Sequence, residues 1–207
     1  MIVSPEIERY LDTLVTPADV VQREMERLAA ERSFPIVGPH VGRLLSVLAR
    51  SCGARRVLEL GSGFGYSALW FARALTPDGE IHCTDNSEEN SDLAMGFLGR
   101  AGYGKLVRFH LGDALEVLER AEGQFDVIFN DVDKEQYPRV IEPAVARLRP
   151  GGLFITDNVL WKGRVARPDP DATTGAVLEF NRRIHDHPGL EVCVLPLRDG
   201  VALAVRR

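Results

Sequence analysis

Glu59, Asp85, Asp131, Asp133, Lys134 and Asp157 stand where this sequence is most able to do chemistry, because each lies at or just after a short apolar run. Two clusters are dense in oxygen: Asn130-Asp131-Val132-Asp133-Lys134 and Thr156-Asp157-Asn158. Carboxylates crowded together repel one another and lose hydration unless a cation compensates them. Hard oxygen ligands with no His or Cys beside them suit Mg²⁺, Mn²⁺ or Ca²⁺ better than zinc. The competing reading is that these acids cap the helices that follow. Lys134 either neutralises them or serves as a base, its pKa lowered by burial and a nearby cation.

The segment Glu59-Leu60-Gly61-Ser62-Gly63-Phe64-Gly65-Tyr66-Ser67 can make a tight strand-to-helix turn that a ligand approaches closely. Its spacing is G-x-G-x-G rather than the G-x-G-x-x-G of dinucleotide folds. Glu59 ends an apolar run, so its carboxylate needs a polar ligand or backbone amides. Asp85 stands twenty residues beyond Gly65, a spacing at which an acid accepts hydrogen bonds from ribose hydroxyls. The alternative is a helix N-cap, with Asn86 and Ser87 beside it. Gly112-Asp113-Ala114 carries the same two readings, nucleoside contact or cap.

These residues need a scaffold that gathers them. Apolar runs at 56–60, 81–84, 107–111, 125–129 and 153–156 read as buried parallel strands. Helical segments at 69–75, 87–101, 114–120 and 138–148 alternate with them, the last ending at Pro150-Gly151-Gly152. Residues 190–195 and 201–205 flank a hairpin-length turn, so the sheet closes with an antiparallel strand. Upstream, Ser4-Pro5-Glu6 and Thr16-Pro17-Ala18-Asp19 read as helix starts, with Val20, Met25 and Leu28 at helical spacing after the second. Pro35 to Pro39 is a break, and Val41, Leu44, Leu45 and Leu48 share the face of a third helix that Gly53 ends. Ligands of an open α/β sheet bind beyond the carboxyl ends of its strands, where the candidate residues lie.

At 207 residues, with 45% hydrophobic and 27% charged residues, the chain fits one globular domain. N-terminal helices occupy 1–52 and the α/β core 55–207. The net charge of −5 excludes a strongly basic nucleic-acid footprint. No apolar run approaches the ~20 residues of a membrane span. Cys52, Cys83 and Cys193 lack metal or disulfide spacing and are expected as reduced, buried thiols. With no basic and apolar leader at the start, a cytoplasmic location is expected. Residues 162–175 are the one lid-like segment, in which Lys162, Arg164 and Arg167 either meet an anionic acceptor or face solvent.

Several runs together resemble the cation-dependent O-methyltransferases. Val57-Leu58-Glu59-Leu60-Gly61 with Gly65-Tyr66-Ser67-Ala68 resembles the first motif of the catechol enzymes. Asp131-Val132-Asp133-Lys134-Glu135-Gln136-Tyr137 resembles the D-A-D-K-x-x-Y of the caffeoyl-CoA enzymes, with Val132 in place of the alanine. Gly151-Gly152-Leu153, Asp157-Asn158-Val159-Leu160-Trp161-Lys162-Gly163 and Leu195-Pro196-Leu197-Arg198-Asp199-Gly200 resemble their G-G-L, D-N-x-L-W-x-G and L-P-x-x-D-G. The resemblance covers roughly residues 35–207. It implies a Rossmann-like class I methyltransferase with a seven-stranded, mostly parallel sheet and N-terminal helices. It also implies S-adenosylmethionine as methyl donor, a divalent cation (Mg²⁺, with Mn²⁺ or Ca²⁺ as alternatives) and a homodimer involving the N-terminal helices.

Carried over residue by residue, Asp131, Asp157 and Asn158 would ligate the metal. Glu59, Gly61, Ser62, Gly63, Tyr66 and Ser67 would line one side of the donor site. Asp85, Asn86, Asp113, Ala114, Asp131 and Asp133 would line the other. Lys134 aligns with the general base. Trp161, Tyr137 and Asp199 are candidates for acceptor contact, against packing roles for the first two and a turn role for the third. The implied reaction is methyl transfer to a hydroxyl of a small catechol-like or phenolic acceptor, two vicinal oxygens being able to chelate the cation. The alternatives are a hydroxylated tRNA base as acceptor, a dinucleotide-dependent oxidoreductase, and a catalytically silent binding protein.

Overall fold

The computed structural model describes residues 3–15 and 18–207. Seven strands make one sheet: β1 (Arg56–Leu60), β2 (Glu80–Asp85), β3 (Val107–Leu111), β4 (Phe125–Asn130), β5 (Leu148–Thr156), β6 (Leu190–Leu195) and β7 (Val201–Arg206). Their order is β3-β2-β1-β4-β5-β7-β6. The first five are parallel, and β7 runs antiparallel to both β5 and β6. The expected fold class is the one observed.

Eight α-helices accompany the sheet among the described residues: α1 (Pro5–Leu14), α2 (Val20–Arg32), α3 (Gly38–Ser51), α4 (Tyr66–Ala72), α5 (Glu88–Arg100), α6 (Ala114–Arg120), α7 (Tyr137–Arg147) and α8 (Ala172–Asp186). One core packs Met25, Leu45, Leu69 and Leu98 of α2 to α5 against Val57, Ile81 and Val127. The other packs Leu118, Ile141 and Phe180 of α6 to α8 against Leu58, Leu60 and Phe154. Neighbouring strand residues thus point into opposite cores, which is why the central strands read as continuous apolar runs.

Local chemistry accounts for the helix boundaries. Ser4, Asp19, Ser87, Asp113 and Asp171 each accept a hydrogen bond from a backbone N–H in the first turn of their helix. For α2 the cap is Asp19; Thr16 and Pro17 of the expected start lie outside the described residues. Val20 is exposed, and Gln22 takes the buried position with Met25 and Ala29. That polar burial is satisfied, since Gln22 bonds Glu26 (2.9 Å) and accepts from Arg73 (2.8 Å). Gly38 and Pro39 open α3 instead of ending the break before it.

Two expectations need correction. The Pro150-Gly151-Gly152 stretch lies inside β5 and does not end a helix: Leu148 pairs with Phe125, and the register then slips so that Leu153 meets Val127. Arg149 anchors this bulge through Asp126 (2.5 Å) and the carbonyl of Cys52 (2.9 Å). Of the three thiols only Cys83 is buried; Cys52 is half-buried and Cys193 is exposed on the edge strand β6. Among the described residues no helix is long and apolar enough to cross a membrane.

Candidate functional site

The parallel strands bring the candidate residues to one edge of the sheet. Leu60 pairs with Thr84 and with Asn130, and Asn130 pairs with Thr156. The residues that follow β1, β4 and β5 therefore sit side by side, and the loops after β2 and β3 flank them. Together with α2, α3 and the β6–β7 hairpin they enclose a cavity of about 1410 Å³. A single small-molecule site occupies roughly 300–1,000 Å³, so this one has room for a donor and an acceptor together.

One half of the cavity is built on the glycine turn. Thr84 ties it to β2: its hydroxyl donates to the Glu59 carbonyl (2.9 Å) and accepts from Gly61 N–H (3.1 Å). Asp85 does not cap α5, whose N-cap is Ser87; it ties the glycine turn to the start of that helix and lines the cavity. Its Oδ2 accepts from Gly63 N–H (3.0 Å), and its Oδ1 from Ser87 N–H (2.9 Å) and the Asn90 amide (3.0 Å). Asp113 caps α6 through Leu115 N–H (2.9 Å) while also lining the cavity. Asn86, Ala114 and Asp133 line it too. Tyr66 and Ser67 begin α4; the Tyr66 hydroxyl donates to Glu26 (2.7 Å), locking the turn to α2.

Glu59 lies fully buried beneath this turn. Burial pushes its pKa up to about 7, against hydrogen bonds from Ser67, Ser62 and Cys83 that favour the carboxylate. Its Oε1 has no hydrogen-bond partner.

Gly61 requires both of glycine's properties. Its φ is +84°, and an added Cβ would stand 2.6 Å from the Asp131 carbonyl oxygen. Gly61→Ala is therefore expected to displace the loop that carries Asp131, destabilise the fold by about 1–3 kcal/mol and weaken binding of S-adenosylhomocysteine at least ~10-fold. Thermal melting and titration calorimetry read the two effects.

The other half is acidic at its base. Asp157 is 2% exposed, and its Oδ1 has no partner. Burial and the adjacent Asp131 push its pKa up, with Arg198 and Lys134 opposing. Burial likewise raises Asp131, and Lys134 pulls it back with Nζ at 2.8 Å from Oδ1. Asn130, fully buried, also leaves its Oδ1 unpartnered. Lone pairs left without hydrogen, beside two carboxylates, fit a hard divalent cation. Among the described residues no three His, Cys, Asp or Glu side chains gather closely enough to hold a metal. The protein ligands would thus be Asp131, Asp157 and an amide such as Asn158, an incomplete shell with positions left for an acceptor or water.

The turn after β5 is held under strain. Asn158, Trp161 and Lys162 all have left-handed φ, at 59°, 44° and 54°, each costing on the order of 1–3 kcal/mol. The hairpin compensates. Val159 N–H donates to the Gly200 carbonyl (3.0 Å), Leu160 N–H to the Asp199 carbonyl (2.9 Å), and Lys162 N–H to the Asp199 carboxylate. Asp199 is thus a fastener of this turn as well as a cavity residue. The Trp161 ring forms a wall with Lys134 Nζ 5.9 Å from its centroid. Tyr137 does not reach the cavity: it is fully buried, and its hydroxyl donates to the Asp157 carbonyl (2.8 Å). Residues Trp161–Ala166 are tight turns kinked at Lys162 and Gly163, with Arg164 directed at Asp171 (3.4 Å).

The structure adds residues that no motif marked. Glu26, Phe34 and Arg198 come to the cavity from α2, the α2–α3 loop and the hairpin. Arg198 lay within the L-P-x-x-D-G run, but at one of its unspecified positions.

The comparisons with known proteins agree with this geometry. A family model described as O-methyltransferase matches residues 17–207. Caffeoyl-CoA O-methyltransferase 1 of Eucalyptus globulus is 32% identical over 96% of this chain and 87% of its own length. Catechol O-methyltransferase of Niastella koreensis is 32% identical over 96% of both. Among solved structures, the O-methyltransferase TomG of Streptomyces achromogenes, in complex with S-adenosylmethionine, superposes with a TM-score of 0.88 at 31% identity, covering 97% of this chain and 96% of that one. With the sheet order, the antiparallel β7 and the glycine turn, these matches place the chain in the O-methyltransferase family, as an S-adenosylmethionine-dependent enzyme of the caffeoyl-CoA and catechol type.

Proposed function

We propose that this enzyme methylates one hydroxyl of a small catechol-like or phenolic acceptor and that it requires a divalent cation, Mg²⁺ first. The observation that carries the reading is the buried Asp157 Oδ1 without a partner, beside Asp131 and Lys134 at neighbouring strand ends. Asp131, Asp157 and Asn158 would hold the cation, which when bound supplies the charge that lowers a hydroxyl's pKa from near ~10.

Methyl transfer from a sulfonium is an in-line displacement, so the chain must align two partners. The glycine turn, Asp85 and Asp113 bind the donor and fix its direction. Trp161 offers an aromatic face to the acceptor. Lys134 Nζ lines the cavity beside Asp131, and we assign it the acceptor hydroxyl's proton, which it takes as the neutral amine after releasing its own to solvent. Holding the reacting atoms aligned supplies several kcal/mol of the barrier reduction. The second copy expected from the resemblance would cover the exposed Ile7, Tyr10 and Leu14 of α1.

The deciding experiment is a methyl-transfer screen over catechols, flavonoids, hydroxycinnamoyl thioesters and hydroxylated tRNA, each with Mg²⁺ and with excess EDTA. Turnover of dihydroxy aromatics that EDTA abolishes is the expected result. Turnover of tRNA alone, or equal rates in EDTA, overturns the reading.

A further inference from the structure

Arg198 occupies an expensive position. It stands at the tip of the β6–β7 hairpin with φ +50°, a left-handed conformation that favours glycine. Its Nη1 donates to the Ile36 carbonyl (2.9 Å) across the mouth of the cavity. Its guanidinium lies against Gly38, where an added Cβ would stand 3.0 Å from Nη1. Gly38 thus leaves the room that the guanidinium fills. The charge reaches the base of the site, since Arg198 favours the ionised forms of both Asp131 and Asp157. Yet Arg198 has no carboxylate within ion-pair distance among the described residues. Of the lysine and arginine side chains that line the cavity, Lys134 is paired to Asp131, Arg198 and Lys162 have no ion pair among the described residues, and of these two only Arg198 is held by a backbone carbonyl.

We propose that Arg198 is a specificity-determining residue that binds a carboxylate on the acceptor, so that the preferred substrates are dihydroxy aromatic acids and not neutral catechols. A guanidinium with one N–H spent on Ile36 keeps further donors in a planar fork, the geometry that a carboxylate matches with two bonds. Trp161, with Lys134 Nζ 5.9 Å from its ring centroid, lines the same cavity as Arg198, which therefore has an aromatic wall, an acidic base and a guanidinium for one aromatic acid. The positive sulfonium of the donor further favours an anionic acceptor in the shared cavity.

This inference rests on the acceptor reading above, and its test separates the two. The probes are 3,4-dihydroxybenzoate and its neutral amide, 3,4-dihydroxybenzamide. Each is titrated by calorimetry into enzyme loaded with S-adenosylhomocysteine and Mg²⁺, and each is assayed for kcat/KM. Wild type is expected to prefer the acid in both measurements. Arg198→Gly should fold well, because glycine adopts the left-handed turn without strain. It is expected to cut the acid-to-amide ratio by about ten- to hundredfold, the usual worth of a charged hydrogen-bonded pair. Arg198→Lys should restore part of that ratio. Equal losses for acid and amide would make Arg198 a structural clasp and overturn the proposal, as would equal binding of the two by wild type. Acid-selective binding with no turnover of either probe would leave Arg198 in place and overturn the acceptor reading instead.

Discussion

Asp157→Ala is expected to lower kcat by about a thousandfold or more in saturating Mg²⁺. The loss corresponds to several kcal/mol of transition-state stabilisation, the scale of a metal's contribution to activating a hydroxyl. Asp157 contributes no side-chain hydrogen bond through Oδ1 and is raised in pKa by burial beside Asp131. Removing it therefore takes away a buried acid that the folded protein has difficulty ionising, and the fold should not weaken for lack of that charge. Donor binding, built on the glycine turn and Asp85, should survive within a few-fold by calorimetry with S-adenosylhomocysteine. The variant should also lose its response to Mg²⁺, so that rates with the metal and with excess EDTA converge near zero. Full activity of Asp157→Ala in EDTA would remove the metal assignment.

Glu59 leads to an equally large effect, this time on stability. In the folded protein its carboxyl holds its proton up to about 7, whereas the ordinary value is 4.5. Between those limits the folded chain binds more protons than the unfolded one. Stability must then fall as pH rises through this window and level off above it. At full ionisation the difference is about 3 kcal/mol, or roughly 6–12 °C in melting temperature for a chain of this size. Glu59→Gln keeps the shape and removes the proton, so its melting temperature should lose that component of the decline between pH 5 and 8. Identical pH slopes for wild type and variant would overturn the account. A positively charged donor above Glu59 should favour its ionised form. S-adenosylmethionine binding near pH 6 is then expected to release protons, which calorimetry in buffers of different ionisation enthalpy detects, and Glu59→Gln should release fewer.

Much of this was readable before any coordinates. Apolar runs of strand length, separated by capped helices, are physical statements about what can be buried on both faces, and five parallel strands followed from them. The hairpin between residues 195 and 201 betrayed the antiparallel close. Acids at strand ends pointed to a ligand because a buried carboxylate must be compensated, and the motifs around Glu59, Asp131 and Asp157 carried the family.

Other features depend on contacts distant in the chain. The bulge at Pro150-Gly151-Gly152 exists because Leu148 already pairs with Phe125. Gln22 is buried because Glu26 and Arg73 wait for it. Tyr137, seven residues into a conspicuous motif, turned inward to the Asp157 carbonyl. Sequence periodicity cannot see such pairings.

Taken by itself, the sequence determined which residues would crowd the carboxyl edge of the sheet, since strand spacing and chain order are enough to place them there. The class of chemistry, methyl transfer from a sulfonium donor, came instead from the resemblance of the motifs around Glu59, Asp131 and Asp157 to the O-methyltransferases. Only the tertiary structure decided which of those acids lacks a partner, which are spent on caps and turns, and that Arg198 crosses from the hairpin to Ile36 at the mouth of the cavity. The reason is that hydrogen-bond satisfaction and burial are properties of neighbours in space, and the neighbours of Glu59, Asp157 and Arg198 come from segments up to 162 residues apart.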